Sequence, residues 1–209
     1  MGISAPMTSQ RKVHRNNAIL AARMMVDSNA FVLDTETTGP HPEADVACSV
    51  SIVRIDGTLI LDTYVKPSIP IPSGATSVHH ITNEMVASCR LFRDVWNNIV
   101  LQYLAPKDII VTYNARFDRL IILNSYGPPS NDFVPGVGAW KCAMLTYSAF
   151  NGAWNASYGN YRWWKLSEAC TIEGIPIPEG LHNSLVDVKL TIELVKHMAR
   201  SFEATNEKA

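Results

Sequence analysis

Residues 31 to 39, FVLDTETTG, end a short apolar run in two carboxylates, Asp34 and Glu36, with one residue between them. In an extended strand alternate side chains share a face, so both carboxylates project to the same side. Like charges held that close cost free energy unless something positive lies between them, and a divalent cation bound through hard oxygen ligands meets that need. A strand running into a polar turn explains the same letters without any ligand, since Asp, Thr and Gly are common there. What separates the two readings is whether further acidic residues fall at other element ends.

A chain of 209 residues that is 47% hydrophobic can bury one sizeable core, and a single domain is expected. Its formal net charge of -1 excludes a polycation held to nucleic acid by bulk electrostatics, so a polyanionic partner has to be gripped locally. Cys48, Cys89, Cys142 and Cys170 are widely spaced with no C-x-x-C pair, which gives neither a zinc module nor a disulfide framework and fits a reducing, cytoplasmic setting. No apolar run approaches the ~20 residues of a membrane span.

Along the chain, apolar positions at helical spacing from Ala18 to Val26 predict a short helix in an N-terminal extension of residues 1–28. Runs 46–55 and 58–65 flank Asp56-Gly57, a hairpin dipeptide, so three consecutive antiparallel strands are expected. Prolines at 67, 70 and 72 predict an extended surface loop from Pro67 to Gly74. A helix over 91–104, a buried strand over 108–114 and a helix over 115–126 follow, then a loop from Pro128 to Gly138. A short strand within 140–144, a helix to about Phe150, a helix over 165–173 and a closing helix over 183–202 complete a domain of residues 29–202, with 203–209 as a tail. Three antiparallel strands followed by strand and helix alternation predict an α/β fold, a mixed sheet with helices on its faces.

Two more acidic residues stand at element ends. Asp118 falls in the first turn of the 115–126 helix, where the helix dipole alone would favour it. Asp187 follows His182 at the start of the closing helix, and Ser184 with Asp187 fits a capping pair. Together the segments resemble the histidine branch of the DEDD exonuclease superfamily (DEDDh, DnaQ-like), whose members include the epsilon proofreading subunit of bacterial DNA polymerase III, exonuclease X and ribonuclease T. The family's D-x-E motif is matched by Asp34 and Glu36, its N-A-x-F-D motif by Asn114 to Asp118, and its H-x-x-x-x-D motif by His182 and Asp187. Two positions depart from the pattern: Pro40 stands where Leu is common, and His79-His80-Ile81-Thr82 stands where H-G-I-T is usual, with a consequence expected for the local turn.

The resemblance implies a ribonuclease H-like fold and a metal-dependent 3′→5′ exonuclease acting on single-stranded ends, with DNA favoured over RNA, that releases 5′-mononucleotides. It implies two Mg²⁺ or Mn²⁺ ions held by Asp34, Glu36, Asp118 and Asp187, with His182 as the base that takes a proton from the attacking water. Thr37, Thr38, Asn114 and Phe117 are candidate substrate contacts, and Trp163 and Lys165 join them from a cluster of five aromatics between Trp154 and Trp164 that could stack bases or simply pack. An exoribonuclease and a non-catalytic nucleic-acid-binding polymerase subunit are the alternative functions. A homodimer and association with a polymerase both stay open.

Overall fold

The computed structural model describes residues 8–127, 138–180 and 182–206, so nearly all of the loop expected at 128–138 lies outside the described residues. A five-stranded sheet in the order β3-β2-β1-β4-β5 forms the centre. Its strands are β1 (Phe31–Thr37), β2 (Ala47–Arg54), β3 (Leu59–Tyr64), β4 (Ile109–Thr112) and β5 (Ala139–Cys142). β1, β2 and β3 pair antiparallel, whereas β4 runs parallel to both β1 and β5. This is the mixed sheet expected from the strand pattern, and it matches the ribonuclease H-like fold that the family resemblance implies.

Alternation along β1 decides which helices lie on which face. Val32 points into a core built with α1 (Thr8–Asp27), α6 (Ala143–Asn151), α7 (Leu166–Ile172) and α8 (Ser184–Asn206). Phe31 and Leu33 point the other way, into a core that includes Trp96 of α4 (Phe92–Asn98) and Ile121 and Ile122 of α5 (Ala115–Tyr126). Asp34 and Glu36 continue the Val32 face and Thr35 the Leu33 face, because the side-chain period of a strand is two. β1 therefore delivers carboxylates toward α8 and a hydroxyl toward α5.

Several elements differ from the pattern-based expectation. α1 spans twenty residues and buries Ala18, Ile19, Ala22 and Met25, so the helix expected to be short is a full layer of the core. The helix expected over 91–104 breaks at Ile99, whose φ of −123° and ψ of −60° leave the helical region, and resumes as a 3₁₀ turn at Val100–Gln102. The stripe continues across the break because a 3₁₀ turn keeps i, i+3 neighbours on one side. After the proline loop come two short helices that the pattern did not signal, α2 (Ser73–His79) and α3 (Asn83–Val86). The aromatic stretch forms a two-stranded hairpin, β6 (Trp154–Asn155) with β7 (Asn160–Tyr161). α8 runs on to Asn206. No helix among the described residues is long and apolar enough to cross a membrane.

Candidate active site

Strand pairing builds the site from β1 outward. Asp34 lies opposite Ser51 and Glu36 opposite Ser49, so two hydroxyls of β2 share the face of the two carboxylates. Both serines are buried and meet a third, Ser184 of α8, at 2.7 Å (Ser51) and 3.0 Å (Ser49). Ser51 donates its proton to Asp62 at 2.7 Å, so it accepts from Ser184. These contacts seat the first turn of α8 on the β1–β2 pair and bring Asp187, one turn further, beside Asp34 and Glu36. The capping pair expected between Ser184 and Asp187 does not form. Asn183 Oδ1 instead accepts from the Leu185 and Val186 amides at 3.1 and 3.3 Å, which leaves Ser184 for the sheet and Asp187 for the site.

One oxygen from each of Asp34, Glu36 and Asp187 lies within 4.8 Å of the other two. Asp118 approaches from α5 on the opposite face, where Thr35 donates to its carboxylate at 3.2 Å, and this explains why it stands outside the tight trio. It is 4% exposed and close enough that its charge acts on Asp34 and Glu36. All four carboxyls titrate above the ordinary carboxylate range. Burial is the main cause for Asp34, followed by the charges of Asp118, Glu36 and Asp187. Burial, then Asp187 and Asp118, pushes Glu36 to about 7. Asp118 rises through burial, with the Thr112 and Thr35 hydroxyls pulling against it. Asp187 rises through burial too, offset by the charge and backbone N–H of His182.

Such a cluster is under-compensated by protein groups alone. Asp187 Oδ1 is buried and has no hydrogen-bond partner among the described residues. A buried carboxylate oxygen without a donor costs free energy that a cation would recover, and an all-oxygen donor set suits a hard ion such as Mg²⁺ or Mn²⁺. The residues present therefore fit a divalent metal.

His182 sits just ahead of α8, exposed, with a left-handed φ of 65°, and lies outside the carboxylate trio while acting on it electrostatically. Residues outside the three acidic motifs hold β1 in place. His79 Nδ1 accepts from the Ile81 amide at 3.0 Å, so its Nε2 carries the hydrogen and donates to the Thr37 carbonyl at 3.1 Å. That bond falls where the β1–β2 register shifts, between Glu36 and Thr37. Asp45 braces the loop beyond: it accepts from the Thr38 hydroxyl and the His41 amide, both at 2.8 Å. A Cβ at Gly39 would lie 2.6 Å from Asp45 Oδ2, so glycine is needed for that approach. Serines alternating within the otherwise apolar 47–53 run were the available signal for the β2 contacts, since period two put them on the face of Asp34 and Glu36.

Among the candidate substrate contacts, Thr38 is buried and committed to Asp45 and to the Val46 amide. Thr37 hydroxyl donates to Gly39 O at 2.7 Å. Asn114 opens α5 and is half-buried, and Phe117 packs partly against the α4–α5 core. Trp163 and Lys165 are exposed in the segment joining β7 to α7.

Comparison with known proteins gives this geometry a lineage. The RNase T exonuclease family model matches residues 31–195. Exonuclease CP81 of Escherichia phage 186 is 28% identical over 183 residues, covering 86% of this chain and 92% of that protein. Exodeoxyribonuclease 10 of Escherichia coli K12 is 28% identical over 169 residues, 78% of this chain and 66% of the relative. A DNA polymerase III epsilon-like protein of Rhodobacter capsulatus is 36% identical, but this chain spans only 25% of its length. Among solved structures, exonuclease X bound to 5′-overhanging duplex DNA shares the fold at a TM-score of 0.55 and 24% identity, covering 82% of this chain and 92% of that one. Exonuclease I of E. coli in complex with a dT13 oligonucleotide has a TM-score of 0.64 at 20% identity, over 83% of this chain and 42% of that one. The family match opens at the first residue of β1 and closes inside α8, so it encloses every element that brings a carboxylate to the site, and the chain belongs to the DnaQ-like exonuclease family.

Proposed function

We propose that this exonuclease degrades single-stranded nucleic acid from the 3′ end with two divalent ions and releases 5′-mononucleotides, with DNA as the favoured substrate. The convergence of Asp34, Glu36 and Asp187 within 4.8 Å, with Asp118 behind them, carries the reading. Asp34, Glu36 and Asp187 would hold one ion and Asp34 with Asp118 the other. When bound, such ions neutralise charge on the scissile phosphate, activate the attacking water and stabilise the leaving 3′ oxygen.

The chain's own groups supply the rest. His79, through Thr37, and the serine contacts of α8 hold the carboxylates in one geometry, so little reorganisation is needed during reaction. His182 is the base that removes the proton from the attacking water, a task open to an imidazole nitrogen. Preference for DNA is supported by the deoxyribonuclease name of one relative and by the DNA complexes of the structural neighbours.

Digestion of matched 5′-labelled DNA and RNA single strands, with circular single-stranded DNA as control, tests the reading. Labelled products should shorten stepwise from the 3′ end, faster on DNA, and the circle should survive. Rapid cutting of the circle removes the exonuclease polarity, and faster loss of RNA reverses the sugar preference.

A further inference from the structure

The β6–β7 hairpin makes no contribution to the carboxylate cluster, yet it carries an unusual density of exposed aromatic surface. Trp154, Asn155, Tyr158, Asn160, Arg162 and Trp163 line one cleft of about 790 Å³. Tyr158 is 79% exposed and Trp163 59%, an arrangement that core packing does not explain. The indole Nε1 of Trp154 is buried without a hydrogen-bond partner among the described residues, a donor that an acceptor on a ligand would satisfy. The Arg162 guanidinium stacks on the Trp164 ring at 3.9 Å and pairs with Glu168 at 4.0 Å, an exposed ion pair without a hydrogen bond that holds the cation flat at the rim.

The hairpin is fixed rather than loose at its base. Tyr161 meets His14 of α1 at 2.7 Å and packs edge-on against Trp154 at 5.5 Å. The Trp164 carbonyl accepts from the Tyr113 hydroxyl at 2.6 Å, and Tyr113 directly precedes Asn114, which opens the helix carrying Asp118. The platform is thereby tied to the strand end from which one wall of the active site is built.

Flat aromatic faces, side-chain amides and a single cation, with no carboxylate among the described lining residues, match a nucleotide: bases stack, amides meet base edges, and the guanidinium meets a phosphate. The geometry points to a second nucleic-acid site on this hairpin that seats one or two bases of the single strand, on the 5′ side of the nucleotide being removed. This site rests on the nuclease reading above. It makes affinity depend on strand length, because a strand too short to span from the carboxylates to the hairpin gains nothing from it.

Affinity is measured in EDTA, where no hydrolysis occurs, by anisotropy of a 5′-labelled twelve-residue and a three-residue oligothymidylate. Trp163→Ala should weaken binding of the longer strand by about tenfold, within the range for one lost stacking contact, and Trp163→Phe should restore most of it. The three-residue strand should bind the full chain and both variants alike. Equal affinity of wild type and Trp163→Ala for the longer strand overturns the inference and leaves the aromatic face to a protein partner. A wild type that digests the longer strand with Mg²⁺ or Mn²⁺ while the variant binds it unchanged removes the hairpin site alone. A wild type that digests neither DNA nor RNA removes the nuclease reading, whatever the affinities.

Discussion

The Ser184 hydroxyl lies 2.7 Å from that of Ser51, and Ser51 faces Asp34 across the β1–β2 pair, so one short contact sets the distance between two carboxylates far apart in sequence. Removing it should therefore affect both stability and turnover. Ser184→Ala leaves the buried Ser49 and Ser51 hydroxyls short of a partner, which costs about 1–3 kcal/mol. Urea unfolding should show that loss, and kcat should fall because Asp187 is no longer held in register. Loss of stability with kcat intact would mean that Asp187 is positioned by something else.

His79 supplies the matching constraint on the other side of Glu36. Burial holds its pKa below the ordinary value, which keeps it neutral with its hydrogen on Nε2. His79→Ala should cut kcat more than it raises KM, since the effect works through Glu36 and not through substrate contact. His79→Gln can still donate to the Thr37 carbonyl and should recover part of the rate. An unchanged kcat in the alanine variant would sever that link.

Four carboxyls raised above their usual range make the metal-free protein sensitive to pH in a defined direction. Their folded pKa values exceed the unfolded values of ~4, so the native state binds more protons across that interval. The stabilising contribution of each is full below about pH 4 and is lost as pH rises through its folded value, about 7 for Glu36 and Asp118 and above the ordinary value for Asp34 and Asp187. In EDTA, Asp34→Asn should therefore be at least as stable as wild type at pH 8, and almost inactive with metal. Mg²⁺ or Mn²⁺ at a hundred times its Kd should stabilise wild type by about 2.7 kcal/mol and the variant by less. Scanning calorimetry at several pH values checks both signs.

His80 occupies the left-handed position that ends α2, with φ 62° and ψ 10°, and its N–H bonds Thr76 O. The turn that glycine would be expected to make is thus kept, at the expense of strain in a residue with a Cβ. His80→Gly should raise stability by about 1 kcal/mol and leave turnover as it is. A lower melting temperature would show that the imidazole makes up for the strain.

Much of the candidate site's geometry was readable in sequence because strand period two places Asp34 and Glu36 on one face whatever the rest of the chain does. The order of strands and helices was readable as well, through Asp56-Gly57 and the apolar stripes. Less visible was anything decided by competition between distant groups. Ser184 and Asp187 satisfy a local capping rule, yet Asn183 takes the cap because Ser184 gains two buried hydroxyl partners on β2. The helix over 91–104 keeps its apolar stripe through a break at Ile99 that only tertiary packing selects. The hairpin at 154–161 is too short for periodicity to register, and its aromatic letters fit core and surface equally.

His182 stands just ahead of α8 with its charge and backbone N–H both acting on Asp187, a placement that suits a base working beside a metal-holding carboxylate. If it takes the proton from the attacking water, His182→Ala should lower kcat by roughly 10²–10⁴-fold, the usual span for losing acid–base catalysis. Metal affinity should change little, because Asp34, Glu36 and Asp187 keep their mutual spacing. Single-turnover rates of both proteins at saturating Mn²⁺ check this, because saturation with metal separates loss of the base from loss of an ion. Wild-type rates in His182→Ala would remove the base from this position and leave deprotonation of water to the ions held by the carboxylates.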